Sequence, residues 1–93
     1  MISMSLDDRS DRIRHDSSVT VAAQVARDIE GDIRNGRLAP DTRLPNEIDL
    51  SQQYGVARMT VRRAVAQLRD KGLVVTVHGR GSFVAPRDDQ AQR

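Results

Sequence analysis

Cysteine and tryptophan are absent from the 93 residues, and Tyr54 and Phe83 are the only aromatics besides. Without cysteine there are no disulfides, thiolate metal sites or thiol nucleophiles, a usage that fits a reducing cytoplasm. With two aromatics, a core must be built from aliphatic side chains. No apolar run approaches the length of a membrane-spanning helix. The opening stretch is polar where the apolar part of a signal peptide would sit, as "SLDDRSDRIRHDSS" shows. Lysine is also scarce: Lys71 stands against fourteen arginines. A chain this short supports one small domain in which most side chains touch water.

The net charge of +2 conceals an uneven distribution. Residues 1–18 carry net −1, residues 19–56 net −2, and residues 88–93 net −1. Residues 57–87 hold six Arg and Lys71 against Asp70 alone, net +6. A single basic block in an otherwise balanced chain points to a directed contact with an anion, of which nucleic acid is the commonest. A solvated basic face is the plain alternative.

Residues 1–16 lack apolar periodicity and read as a disordered tail. Val21, Val25, Ile29 and Ile33 then recur every fourth residue, which predicts an amphipathic helix from about Val19 to Asn35. Ser17 or Ser18 is placed to cap its start, and Gly36 to end it. Gly31 falls inside this helix on the polar side. "GRLAPDTRLP" reads as a loop with a short extended piece anchored by Leu38 and Leu44. Asn46 caps a second helix, from about Glu47 to Tyr54, which Gly55 ends. A third helix runs from about Arg58 to Lys71 with Val61, Ala64, Val65 and Leu68 on its apolar face, and Gly72 stops it. "LVVTVHGRGSFVAP" changes the period from helical to alternating. Leu73, Val75 and Val77 alternate, "HGRG" turns, and "SFV" returns, giving a β-hairpin closed by Pro86. The terminal residues 87–93 read as a polar tail or a linker. The fold expected is mainly α with a small β-hairpin.

Two short helices joined by a turn containing Gly55 form a helix-turn-helix, with Ser51 small at the crossing; a purely structural helical hairpin shares part of this pattern. The helical wheel adds direction. Val61, Ala64, Val65 and Leu68 gather on one side, and Met59, Arg62, Arg63 and Ala66 on the other, with Arg58 at the border. The N-terminal half of such a helix reaches base edges in the major groove, and the arginine fork matches guanine O6 and N7. Thr60 offers a hydroxyl to phosphate or base. For Arg63 a solvated side chain or a contact to phosphate alone is the favoured reading. The hairpin after the third helix reads as a wing with Arg80 at its tip, suited to the negative potential of a minor groove; an ordinary surface hairpin is the alternative. His78 is placed to touch phosphate or solvent. No catalytic set appears, so the chain does not read as an enzyme. His15 and His78 have no ligand companions, so no metal or other cofactor is expected.

Four motifs stand in order: "IRNGRLAP" at 33–40, "LPNE" at 44–47, "GVARMTVRRA" at 55–64 and "GRGSFV" at 79–84. Together they resemble the DNA-binding domain of the GntR family of bacterial transcription regulators over residues 19–85. That resemblance implies a winged helix-turn-helix of three helices and a two-stranded wing over residues 17–86. It implies a cytoplasmic, sequence-specific regulator, chiefly a repressor, bound as a homodimer to two-fold symmetric double-stranded DNA. Family contacts carry onto Arg58, Thr60 and Arg62 in the third helix and onto His78, Gly79 and Arg80 in the wing. Arg43, Asn46 and Glu47 are implied at the backbone or groove edge. Residues 87–93 would lead toward an effector-binding domain outside this chain. The sequence departs from the family pattern at Ala57, often Ser; at Asp41, usually Gly; at Ile48, basic in some members; and at Asn46, often Ser. A winged helix that binds an acidic protein partner, and a nonspecific nucleic-acid binder, are the rival readings.

Overall fold

A computed structural model describes residues 7–86. Its elements follow the expected order: α1 (Val21–Arg34), α2 (Glu47–Tyr54), α3 (Arg58–Asp70), β1 (Val74–Val77) and β2 (Gly81–Val84), preceded by a single 3₁₀ turn at Ser10–Arg12. The apolar stripe of α1 buries Val25 and Ile29 fully, while Val21 and Ile33 pack at the edge of the core. The cap of α1 is Thr20, not Ser17 or Ser18. Its hydroxyl accepts from the Ala23 amide, and Ser17 Oγ instead accepts from the Val19 amide. The cap stands directly before the first helical residue, and Val21 follows Thr20, not Ser17 or Ser18.

Asn46 caps α2 by accepting from the Asp49 amide at 2.8 Å. Gly55 ends it at φ 65, and a Cβ there would lie 2.9 Å from Ser10 Cβ. Both the left-handed backbone and the close neighbour demand glycine at this turn. Residues 55–57 then lead into α3, which packs against α1 and α2 through the buried Val61, Ala64 and Leu68. Val65 packs at the rim of the same core. Leu50 and Tyr54 supply the face of α2.

β1 and β2 pair antiparallel with Val74 opposite Val84 and Val77 opposite Gly81. The extended piece before α2 joins them as a third rung. Leu44 donates to the Ser82 carbonyl, and Val84 donates to the Thr42 carbonyl, both at 2.8 Å. The phase of the hairpin differs from the expected alternation. Val74 and Val84 enter the core, whereas Val75 and Val77 are exposed. Only the base of the hairpin enters the apolar core, so alternation beyond it confers no burial. This is the three-helix, two-stranded winged helix-turn-helix expected for the chain.

The largest correction lies at the N-terminal end. Residues 7–16 were expected in a disordered tail, yet Arg9 and Ile13 are buried. Arg9 Nη1 donates to Asp28 and Asp32 of α1 at 2.7 Å each, and to the Tyr54 hydroxyl at 3.2 Å. The Tyr54 hydroxyl in turn donates to Asp28 at 2.6 Å. The Arg9 amide donates to the Gln53 carbonyl. Burial pushes the Asp28 carboxyl up, but hydrogen bonds from Tyr54, Arg12 and Arg9 outweigh it and hold the group below its ordinary value. Burial, then the bond to Asp28, raises the Tyr54 phenol. Arg9, assisted by Arg12 on Asp28, thus clasps the segment to α1 and α2. No periodic pattern announces an isolated ion pair of this range. The expected tail at residues 87–93 and the first six residues lie outside the described residues.

Candidate nucleic-acid interface

The start of α3 presents the basic block as one surface. Arg58, Met59, Arg62 and Arg63 are all exposed, and Thr60 is half-buried. The helix lifts them outward because Val61, Ala64 and Leu68 hold its other side against the core. Ala57 occupies the cap position with no side-chain bond to the helix amides. The Thr60 amide is left with the Ala57 carbonyl at 3.0 Å.

Glu47, the first residue of α2, reaches across to α3. Its two carboxylate oxygens accept from Arg58 Nε at 3.0 Å and from Arg62 Nε at 2.6 Å. Those bonds from Arg62 and Arg58 hold the Glu47 carboxyl below its ordinary value, and Glu47 raises Arg62. Both bonds use Nε. Both side chains remain more than half exposed, 57% for Arg58 and 56% for Arg62. A guanidinium that donates through Nε still carries terminal N–H groups suited to a bidentate acceptor such as guanine O6 and N7. Glu47 had been placed at the groove edge from the family resemblance; its geometry is that of a bracket for two arginines.

Arg63 and Arg80 form no ion pair among the described residues. His78, Gly79 and Arg80 make up the exposed turn between β1 and β2, closed by the Arg80 amide donating to the Val77 carbonyl at 2.9 Å. Gly79 takes φ 78 there. Arg43 lies against the start of β2 next to the turn, its Nε 3.0 Å from the point where a Cβ of Gly81 would stand. Arg43, Asn46, Glu47 and Arg62 line one cleft of about 420 Å³ between α3 and the wing. The turn residues 78–80 do not line it and stand at the far end of the hairpin.

Arg69 also lines this cleft and donates to Thr76 Oγ1 of β1 at 2.9 Å, fastening α3 to the wing. The sequence reading passed over it. Its signal was available, because residue 69 follows Arg62 by seven positions and lies on the same helix face. The surface so assembled contains four arginines, an amide cap and hydroxyls around one acid already paired to two cations.

Comparison with known proteins agrees with this architecture. The description "Bacterial regulatory proteins, gntR family" matches residues 21–84. The HTH-type transcriptional repressor NagR of Bacillus subtilis is 39% identical over 80 residues, 85% of this chain and 33% of that protein. The histidine utilization repressor of Klebsiella aerogenes is 40% identical over 68 residues, 73% of this chain and 28% of that protein. The chain therefore spans about a third of the length of such curated relatives. Among solved structures, AraR(DBD) in complex with operator ORR3 is 44% identical with a TM-score of 0.66, covering 69% of this chain and 77% of that one. YtrA from Sulfolobus acidocaldarius, a GntR-family transcription factor, is 30% identical with a TM-score of 0.74, covering 86% and 84%. The chain belongs to the gntR family of bacterial regulatory proteins, and its winged helix-turn-helix is that family's DNA-binding domain.

Proposed function

We propose that this domain binds a specific double-stranded DNA sequence with α3 in the major groove and the wing along the adjacent minor groove. The observation that carries this reading is the pair Arg58 and Arg62, bracketed by Glu47 through Nε and exposed at the start of α3. Arg63 and Thr60 serve the flanking phosphates, Arg43 and Asn46 the groove edge, and His78, Gly79 and Arg80 the minor groove. The likeness to AraR(DBD), solved in complex with an operator, supports operator binding by this chain.

The relatives named as repressors support repression as the regulatory outcome. We place the protein in the bacterial cytoplasm, bound to the nucleoid as a homodimer on two-fold symmetric operators. The folded DNA-binding unit of this chain includes the clasp at Arg9 as well as residues 17–86.

Selection of bound duplexes from a random pool tests the reading. An enriched, two-fold symmetric sequence is expected, with a half-site spacing that reports the dimer geometry. Arg58→Ala and Arg62→Ala should each cost about 1–3 kcal/mol and relax base choice at one step. Arg80→Ala should weaken binding with less effect on major-groove preference. Equal affinity of the three variants and wild type for the enriched duplex would overturn the docking mode.

A further inference from the structure

Met59 is 51% exposed in the first turn of α3, and Ile48 is 49% exposed in the first turn of α2. They are the two large apolar side chains of the helix-turn-helix that the fold leaves in water among the described residues. Their directions are not incidental. Counted at about 100° per residue, Met59 lies opposite the buried Val61, Ala64 and Leu68, with Arg62 about 60° to one side and Arg63 about 40° to the other. Ile48 lies opposite the buried Leu50, Gln53 and Tyr54 by the same count. Each helix thus points one apolar side chain straight away from the core. The Glu47 bracket to Arg58 and Arg62 holds the two first turns together. Ile48 follows Glu47 directly, and Met59 follows Arg58.

An apolar side chain amid cations has little to gain from a phosphate or from a polar base edge. Over a major groove it meets one apolar group, the C5 methyl of thymine. We infer that Met59 and Ile48 are specificity-determining residues that recognise thymine methyl groups beside the bases read by Arg58 and Arg62. The inference rests on the docking mode proposed above and adds the base class that the apolar positions select. Met59 suits the role because its unbranched thioether adapts to the methyl it covers. Ile48, stiff at its branched carbon, presents a fixed surface.

The experiment uses this chain and the duplex enriched from the random pool. Each thymine of a half-site is replaced by uracil, which removes the methyl and leaves every hydrogen-bonding group in place. Affinity is measured by fluorescence anisotropy at one fixed salt concentration, because phosphate contacts make binding salt-dependent. Wild type should lose about threefold to fivefold at two thymine steps per half-site, the value of a buried methyl group. Met59→Ala should erase the thymine–uracil difference at one of those steps, and Ile48→Ala at the other. Both positions are exposed, so both variants should keep the wild-type thermal midpoint. Two results would sink the inference: uracil tolerated at every step by wild type, or full discrimination kept by both variants. A pool that yields no enriched duplex would instead defeat the sequence-specific reading itself, and the two failures are thereby told apart.

Discussion

Glu47 and Arg62 meet at 2.6 Å across the helix-turn-helix, and the same carboxylate takes Arg58 on its other oxygen. An acid inside the surface proposed to face DNA would repel phosphate, and the role we propose for it is orientation of the two arginines. Long arginine side chains lose rotamer freedom on binding, and a bracket restricts them beforehand.

Glu47→Gln should therefore separate affinity from specificity. Removing the charge lessens repulsion of phosphate, so binding to random duplex should tighten. Loosening both forks should weaken binding to the selected duplex. The ratio of the two affinities should fall about tenfold, near 1.4 kcal/mol, as read by competition at one salt concentration. An unchanged ratio would remove the orienting role.

Ala57→Ser should stabilise the fold by about 1 kcal/mol. The backbone at residue 57 already has the extended cap conformation, φ −66 and ψ 150, with no side-chain acceptor. A serine hydroxyl there would accept from the Thr60 amide, as Asn46 does from Asp49 and Thr20 from Ala23. Urea denaturation midpoints measure the gain, and no rise in midpoint would contradict it.

Asp41→Gly should also stabilise, for a different reason. Asp41 holds φ 64, the one positive value at a non-glycine residue among those described. The left-handed region costs an L-residue roughly 1 kcal/mol or more, which glycine avoids, although glycine gives back part of that through unfolded-chain entropy. A net gain of some tenths of a kcal/mol is expected by thermal melting. Destabilisation would mean that the aspartate side chain contributes more than its backbone costs.

The clasp at Arg9 predicts acid sensitivity. Asp28 is held below its ordinary value in the folded chain. Its stabilising share is complete above the unfolded value, near pH 4, and is lost as pH falls through the lowered native value. Arg9→Met should cost about 2–3 kcal/mol at neutral pH, since it takes from Asp32 its side-chain partner and leaves Asp28 with Tyr54 and Arg12 alone. It should also flatten the fall in stability between pH 5 and 2, roughly the carboxylate range. Urea midpoints across that range decide both points; a variant as steep as wild type would detach the acid response from the clasp.

The helices were legible because their causes are local. Val25 and Ile29 share a face by spacing alone, Asn46 reaches its own third amide, and Gly55 takes a left-handed turn that little else adopts. The basic start of α3 was legible for the same reason, since a helix fixes where Arg58 and Arg62 point once Val61 and Ala64 are placed. The cap at Thr20 was misread by two or three positions, as element boundaries are when several hydroxyls stand together.

The sequence by itself determined the order of elements, the turn glycines, the absent cap at Ala57 and the outward face of α3, all of which follow from periodicity and neighbours along the chain. Tertiary structure alone decided that Arg9 closes on Asp28 and Asp32, that Glu47 brackets two arginines, that Arg69 ties α3 to the wing, and that Val74 rather than Val75 enters the core. Ion pairs between distant residues leave no period in a sequence, and a strand that meets the core only at its base has no second buried position to reveal its phase.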